Sequence, residues 1–311
     1  MRAFALGVVV ASVVSILPTL PAFAFCTNPD ALGVSRVLPL DTAQGLEIGR
    51  NGFHHPAPLG PKEVVLTFDD GPEPGTTDAV LRALDKQCTR ATFFIVGRMA
   101  QTTPSLVLAA EAAGHTIATH THGHPLAMHH LALEDAVREI DTGIRDVTAV
   151  LGHAPVPFFR FPGLRATTAT RAYLAERGIA AVSIDAEGGD WLPFSSPDSI
   201  RLRALAQLRH TNGGILLLHD TKAATAAMLP QLLADLKAEG FKIVHIVPSE
   251  ESLVAAANAA PAPAKRVQTA ALAPTLAGSS ARPPAATAPV RAATPTPWLF
   301  PWQRPPFQTF R

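Results

Sequence analysis

Between Glu63 and Val247 the chain repeats one unit, a short unbroken apolar run followed by a stretch with helical spacing and helix punctuation. This repetition constrains the fold more than any other feature. Seven runs read as strands: Val64 to Phe68, Ala91 to Val96, Thr116 to Thr119, Pro157 to Phe161, Ala180 to Ile184, Ile215 to Leu218 and Lys242 to Ile246. Each is continuous rather than alternating, as parallel strands covered on both faces require. Between them Thr103 and Pro104 open a helix that Gly114 closes, Gly178 closes another, and Gly240 ends the stretch from Ala224 to Glu239. Leu133, Val137, Ile140, Ile144 and Val147 keep a three-and-four spacing, which predicts a helix laying that face on the sheet. The reading is an α/β fold with parallel strands. With 47% hydrophobic and 16% charged residues over 311 positions, the chain has apolar material for one sizeable core and length left for appendages.

The polar residues fall at one place on this frame. Asp69 and Asp70 follow the first strand, His120 and His124 the third, Arg160 ends the fourth, Asp185 and Asp190 follow the fifth, and His219 follows the sixth. In a parallel α/β barrel the strand C-terminal ends are where the loops converge to build an active site. His120 and His124, four residues apart, can share one ion, and a carboxylate from another strand end completes a three-ligand set that leaves a position for water. Adjacent aspartates cannot easily address one atom, so one binding metal while the other takes a proton is a natural division. The competing reading of Asp-Asp-Gly-Pro is a plain turn, but these carboxylates end a buried strand, where unpaired charge is expensive. His219 emerges from Ile215-Leu216-Leu217-Leu218 at the same rim, suited to protonate a leaving group.

Five motifs stand in order: TFDDGP at 67 to 72, HTHGH at 120 to 124, RFPG at 160 to 163, GDW at 189 to 191 and LLLHD at 216 to 220. Together they resemble the NodB-like polysaccharide deacetylases, carbohydrate esterase family four, over about Glu63 to Val247. The resemblance implies a distorted seven-stranded (β/α) barrel, TIM-barrel-like, and the hydrolysis of N-acetyl groups on glycans containing N-acetylglucosamine, either chitooligosaccharide or peptidoglycan. It implies Asp70, His120 and His124 as metal ligands, Asp69 as general base and His219 as general acid. Arg160 takes the position that orients the base and Asp190 the one that tunes the acid, while Trp191 and Leu217 wall the acetyl pocket. Arg160 and Asp190 also admit a reading as plain ion-pair partners. Zinc is the first expectation for the metal, and cobalt or another divalent ion suits the same ligands. One departure from the pattern is that Gly163 directly follows Pro162 where an aromatic residue is usual, so the oxyanion donor is left between the N–H groups of Gly163 and Leu164. His115, His122, His129 and His130 have no motif role and read as loop or surface residues. The rival functions are a catalytically silent carbohydrate-binding barrel and a metal-dependent amidohydrolase for small amides.

The ends read differently from the middle. An apolar run from Phe4 to Leu17, then Pro18, Pro21 and Ala22-Phe23-Ala24, resembles a secretory signal peptide cleaved after Ala24; the run is short for a membrane anchor, which needs ~20 residues. The expected location is therefore periplasmic or secreted. In such a compartment Cys26 and Cys88 form an even pair that invites one disulfide, with two separate thiols as the alternative. From Ala255 onward the composition turns to Ala, Pro and Thr with no acidic residue and six basic ones, so that a chain of net +1 carries −5 elsewhere. Such a segment reads as disordered; the plainer reading is a tail with no partner, and its basic, aromatic end also suits contact with an anionic wall polymer or membrane surface. The modest net charge gives no reason to invoke nucleic acid. The expected organisation is a signal peptide over 1–24, an N-terminal extension over 25–62, the deacetylase-like domain over 63–250 and the tail over 251–311.

Overall fold

The computed structural model describes residues 28–258, within the first of the chain's two units, Met1–Ala262. The expected signal peptide, Cys26 and the chain beyond Asn258 lie outside the described residues. Two strands absent from the sequence reading come first, β1 (Arg36–Leu40) and β2 (Glu47–Ile48), followed by a short helical segment, α1 (Arg50–Phe53). The expected alternation follows: β3 (Glu63–Asp69), α2 (Thr76–Lys86), β4 (Thr92–Ile95), α3 (Gly97–Thr102), α4 (Pro104–Ala112), β5 (Thr116–Thr119), α5 (Leu133–Leu151) and β6 (Phe158–Phe159). It continues with α6 (Thr168–Glu176), β7 (Ala180–Val182), β8 (Ala186–Glu187), α7 (Pro197–Thr211), β9 (Gly213–His219), α8 (Ala223–Ala238), β10 (Lys242–Pro248) and α9 (Glu250–Asn258).

Every pairing between these strands is parallel. β3 pairs along its length with β9 and at its C-terminal end with β4, after which β5, β6 and β7 follow in order. The run expected as one strand from Ala180 to Ile184 ends at Val182; after three intervening residues β8 pairs with β9, which brings the strand order back to β3 in a distorted barrel. β10 joins the first residues of β3 and carries β1 on its other edge.

Two cores explain why the strand runs are unbroken. Val64, Leu66 and Phe68 pack outward with Leu229 and Leu232 of α8, while Val65, Phe94, Ile215 and Val244 fill the barrel. Successive strand residues alternate between these two apolar layers, so no polar face is left.

Two expectations need correction. The buried face of α5 is Ala136, Ile140, Gly143 and Val147 together with Asp146, whereas Leu133 is exposed and Val137 only partly covered. The helix is rotated because Gly143 lies against the backbone of Thr121, where a Cβ would come within 2.5 Å of the Thr121 carbonyl carbon. His115 is not a surface residue: it is buried, stacks edge-on against Phe93, and its Nδ1 accepts the Ala91 N–H at 3.2 Å. Cys88 is disulfide-bonded, and its expected partner Cys26 lies outside the described residues.

Burial, with Arg90 beside them, depresses His115 to about 3 and His245 to about 4. Both are neutral in the folded chain at pH 5.5, whereas an unfolded imidazole with a pKa near 6.5 begins to protonate there. The unfolded state therefore binds more protons below about pH 6.5, and stability falls as pH drops from there toward 4. We expect the urea midpoint to decrease between pH 7 and pH 5.5, by on the order of 1 kcal/mol per histidine, and to decrease less in His245→Gln. An equal decrease in that variant would assign the pH dependence elsewhere.

Candidate active site

The register of β3 against β9 sets Asp69 opposite His219. The alternation that sends Phe68 and Leu218 to the outer core turns these two polar residues into the barrel mouth. Asp70, one residue later, has a left-handed backbone with φ of 76°, and His124 and Thr121 share that region at 58° and 65°. Left-handed non-glycine residues cost about 1–3 kcal/mol each and persist where the surroundings hold them.

Helices on either side hold this loop. Gly97 and Arg98, opening α3, donate their N–H groups to the carbonyls of Thr121 and His122. From α5, the Glu139 carbonyl accepts the His122 N–H, its carboxylate accepts the Gly123 N–H at 2.7 Å, and Asp146 takes His122 Nδ1 at 2.6 Å. The Thr121 hydroxyl accepts the His124 N–H at 3.0 Å. His122 thus points away from the site and into its support.

The ligating atoms of Asp70, His120 and His124 lie within 4.8 Å of one another. Nε2 of His120 and of His124 stand 3.6 and 3.1 Å from Asp70 Oδ1, yet that buried oxygen carries no hydrogen bond. His120 Nδ1 donates to the Arg160 carbonyl at 2.7 Å, which leaves Nε2 as the lone-pair nitrogen facing Asp70. Burial depresses both imidazoles to about 4, so both are neutral at physiological pH. Burial raises the Asp70 carboxyl, but the surrounding histidines outweigh it and hold the group below the usual carboxylate range. An orphaned buried carboxylate oxygen facing two neutral imidazoles is a donor set that fits a divalent cation.

Beside this cluster Asp69 is fully enclosed. The buried Arg160 guanidinium donates to its Oδ1 at 2.7 Å, to Thr67 at 2.8 Å, and to the carbonyls of Val182 and Ser183 at 3.1 Å each, and lies over the Phe94 ring. Burial lifts the Asp69 carboxyl above its ordinary range even against Arg160. Its other oxygen, Oδ2, lies 3.8 Å from His120 Nε2. Across the mouth, Asp190 Oδ1 holds His219 Nδ1 at 2.7 Å, and its Oδ2 accepts both the His219 N–H at 2.7 Å and the Thr225 hydroxyl at 2.6 Å. Burial alone lowers the His219 imidazolium, but Asp190 and the two site aspartates raise it to about 9. His219 Nε2 faces Asp70 Oδ2 at 4.0 Å.

Asp69, Asp70, His120, His124, Arg160, Asp190 and His219 meet at this mouth. Leu217 is buried on β9 and Pro162 in the turn after Arg160, and Trp191 is exposed, its indole N–H donating to Glu187. Gly163 sits in that turn with φ of 62°, where a side chain is disfavoured. Of the two candidate oxyanion donors, the Leu164 N–H is spent on the Phe161 carbonyl at 2.9 Å, while the Gly163 N–H has no protein partner among the described residues. Asp185 does not join the mouth: it lies between β7 and β8, and its carboxylate accepts the N–H groups of Ile215 and Arg50, so it braces the sheet instead. Thr67, Thr225 and Asp220 went unread; Asp220 is buried, accepts the Thr77 hydroxyl at 2.6 Å and packs against Gly71, which leaves no room for a Cβ there.

Removing one partner of a buried pair strands the other charge. We expect Arg160→Met to cost about 3–5 kcal/mol of unfolding free energy, and Arg160→Met combined with Asp69→Asn to cost less than the sum of the two. Additive losses in urea melts would show that Arg160 and Asp69 are not energetically coupled.

Residues 44–182 match the family model described as polysaccharide deacetylase. The chain is 34% identical over 199 residues to a chitooligosaccharide deacetylase of Sinorhizobium fredii, covering 59% of this chain and 90% of that protein. It is 28% identical over 185 residues to the peptidoglycan-N-acetylglucosamine deacetylase PgdA of Listeria monocytogenes, covering 60% of this chain but only 38% of that longer protein. Among solved structures, a peptidoglycan deacetylase of Bdellovibrio bacteriovorus superposes with a TM-score of 0.64 at 30% identity, over 72% of this chain and 62% of that one.

Proposed function

The chain belongs to the polysaccharide deacetylase family, and on that premise we propose that it is a divalent-metal-dependent hydrolase removing the N-acetyl group from N-acetylglucosamine units of a glycan, chitooligosaccharide or peptidoglycan. The observation that carries the reading is the buried, unbonded Asp70 Oδ1 facing two neutral imidazoles, with a braced carboxylate on one side and a braced imidazolium on the other.

Asp70, His120 and His124 would hold the ion, zinc first and cobalt as the alternative, which supplies Lewis acidity toward the amide carbonyl and toward water. Asp69 has one oxygen committed to Arg160, so Oδ2 is the atom that takes the proton from the attacking water. Arg160 orients that carboxylate and opposes the effect of its burial. The Gly163 N–H is the donor proposed for the developing oxyanion. His219, its Nδ1 fixed by Asp190, presents Nε2 with a proton at neutral pH and gives it to the departing amine. An amine leaves poorly as its anion, so an acid held protonated suits an amide more than an ester. Leu217, Pro162 and Trp191 would line the acetyl and sugar pocket.

Export follows in the same proposal from the leader-like residues 1–24, since polymeric glycans are met outside the cytoplasm. The basic, aromatic C-terminal tail supports contact with an anionic wall or membrane surface. The test is acetate release from chitopentaose and from peptidoglycan by the chain lacking residues 1–24, with zinc supplied and then chelated. Metal-dependent acetate from either identifies the polymer; no acetate from both, with metal bound, would overturn the deacetylase in favour of a silent carbohydrate-binding barrel. Asp69→Asn is expected to lower turnover by at least 10²-fold while retaining the metal by elemental analysis, and loss of metal in that variant would reverse the assignments of the two aspartates.

A further inference from the structure

At the opposite end of β5 from His120 lies a second cavity, of about 770 Å³. That volume is in the range that encloses a small molecule, roughly 300–1,000 Å³. Its walls are apolar, with Val34, Val37, Ile117, Val156, Val247 and Leu253 contributed by the N-terminal segment, β1, β5, β10, α9 and the turn before β6. Its polar groups are few, and their hydrogen-bonding states can be deduced.

The Thr116 hydroxyl must donate to the Ile246 carbonyl, at 2.9 Å, because a carbonyl only accepts. It can therefore only accept from His245 Nε2, 2.8 Å away, so Nε2 carries the proton and Nδ1 of that ring has a lone pair. In the neighbouring His115, Nδ1 accepts the Ala91 N–H, so Nε2 carries the proton. Both rings line the cavity and are more than nine-tenths buried, yet neither His115 Nε2 nor His245 Nδ1 has a protein partner among the described residues. Arg90 lines the same space and has no carboxylate within ion-pair distance among the described residues; its charge depresses both histidines further. Glu111, the acidic lining residue, is engaged at 2.9 Å by His153.

Arg90 and the His115 Nε2–H place a cation and a donor in the lining of a largely apolar cavity. We propose that this cavity binds an apolar molecule ending in a carboxyl group, of the fatty-acid class, at a site separate from the deacetylase centre. The carboxylate accepts from Arg90 and from His115 Nε2–H. The hydrocarbon lies along the valine and leucine walls. A simple alcohol would leave the arginine without a counter-charge, whereas a carboxylate answers both the arginine and the imidazole N–H.

The test is calorimetric titration of the purified chain with dodecanoate at pH 7, below its micellar concentration, with 1-dodecanol as the neutral comparison. One-to-one binding of dodecanoate is expected, at least ten-fold tighter than dodecanol. Arg90→Gln should weaken dodecanoate at least ten-fold while changing dodecanol little, and Val34→Trp, which fills the chamber from a partly exposed position, should abolish both. Circular-dichroism melts would show these variants folded, and acetate release should be unchanged in both. Equal affinity for acid and alcohol, an unaltered titration in Val34→Trp, or no dodecanoate binding by the unmodified chain would each overturn the assignment.

Discussion

The buried guanidinium of Arg160 organises the centre of this barrel. A cation with no exposed surface is tolerable only when its donors are used and a counter-charge is near. Here they reach the Asp69 carboxylate, the Thr67 hydroxyl and two carbonyls of the β7–β8 junction, and Phe94 covers one face. The backbone of the same residue fixes a neighbour, since its carbonyl sets the tautomer of His120. One residue thereby ties three strand ends together and fixes an oxygen of Asp69 and a nitrogen of His120. Lysine could not do this, having a single nitrogen where the fork supplies three separate ones.

The strain around this hub is local and is offset by the helices next to it. Asp70, Thr121 and His124 occupy left-handed backbone, which their side chains disfavour. The loop with the two histidines keeps that shape because the start of α3 and the middle of α5 take up its carbonyls and N–H groups in turn. Gly143 lets α5 come close enough to do so. The rotation of α5 away from its most hydrophobic stripe is therefore the consequence of carrying Glu139 and Asp146 to the loop. Asp220 does the corresponding work for Asp70, packed against Gly71 and tied to Thr77.

How far the sequence could be read follows from these contacts. The seven main strands were legible because residues buried on both faces leave unbroken apolar runs, and the mouth residues because each ends such a run or lies in the loop after it. β1, β2 and β8 were not, since two- to five-residue strands with mixed exposure carry no periodic signal. The helical stripe misled at α5 because spacing counts hydrophobicity and cannot see that Gly143 and Asp146 are wanted inward. His115 misled for a related reason: the polarity of histidine argues for a surface, and only the pairing of its Nδ1 with a strand N–H, visible in three dimensions, makes its burial tolerable. Asp185 misled because the strand before it ends early, at Val182, and the short link to β8 turns its carboxylate onto the backbone N–H groups of Ile215 and Arg50.

The same barrel mouth drives identical side chains in opposite directions, and this separates their chemistry. His120 and His124 are buried beside each other with a single shared carboxylate, so desolvation dominates and both stay neutral, with lone pairs available to a cation. His219 is buried as deeply, but Asp190 bonds its ring at Nδ1 and its backbone N–H, and Thr225 holds Asp190 in turn, so the charged form wins. Asp190 does not need to approach the substrate for this effect. Its position behind the imidazole keeps His219 protonated while Nε2 faces Asp70 Oδ2 across 4.0 Å. A site with neutral imidazoles on one side and an imidazolium on the other can accept a cation and still retain an acid. Replacing Asp190 with a neutral residue would remove that distinction before it altered any ligand atom.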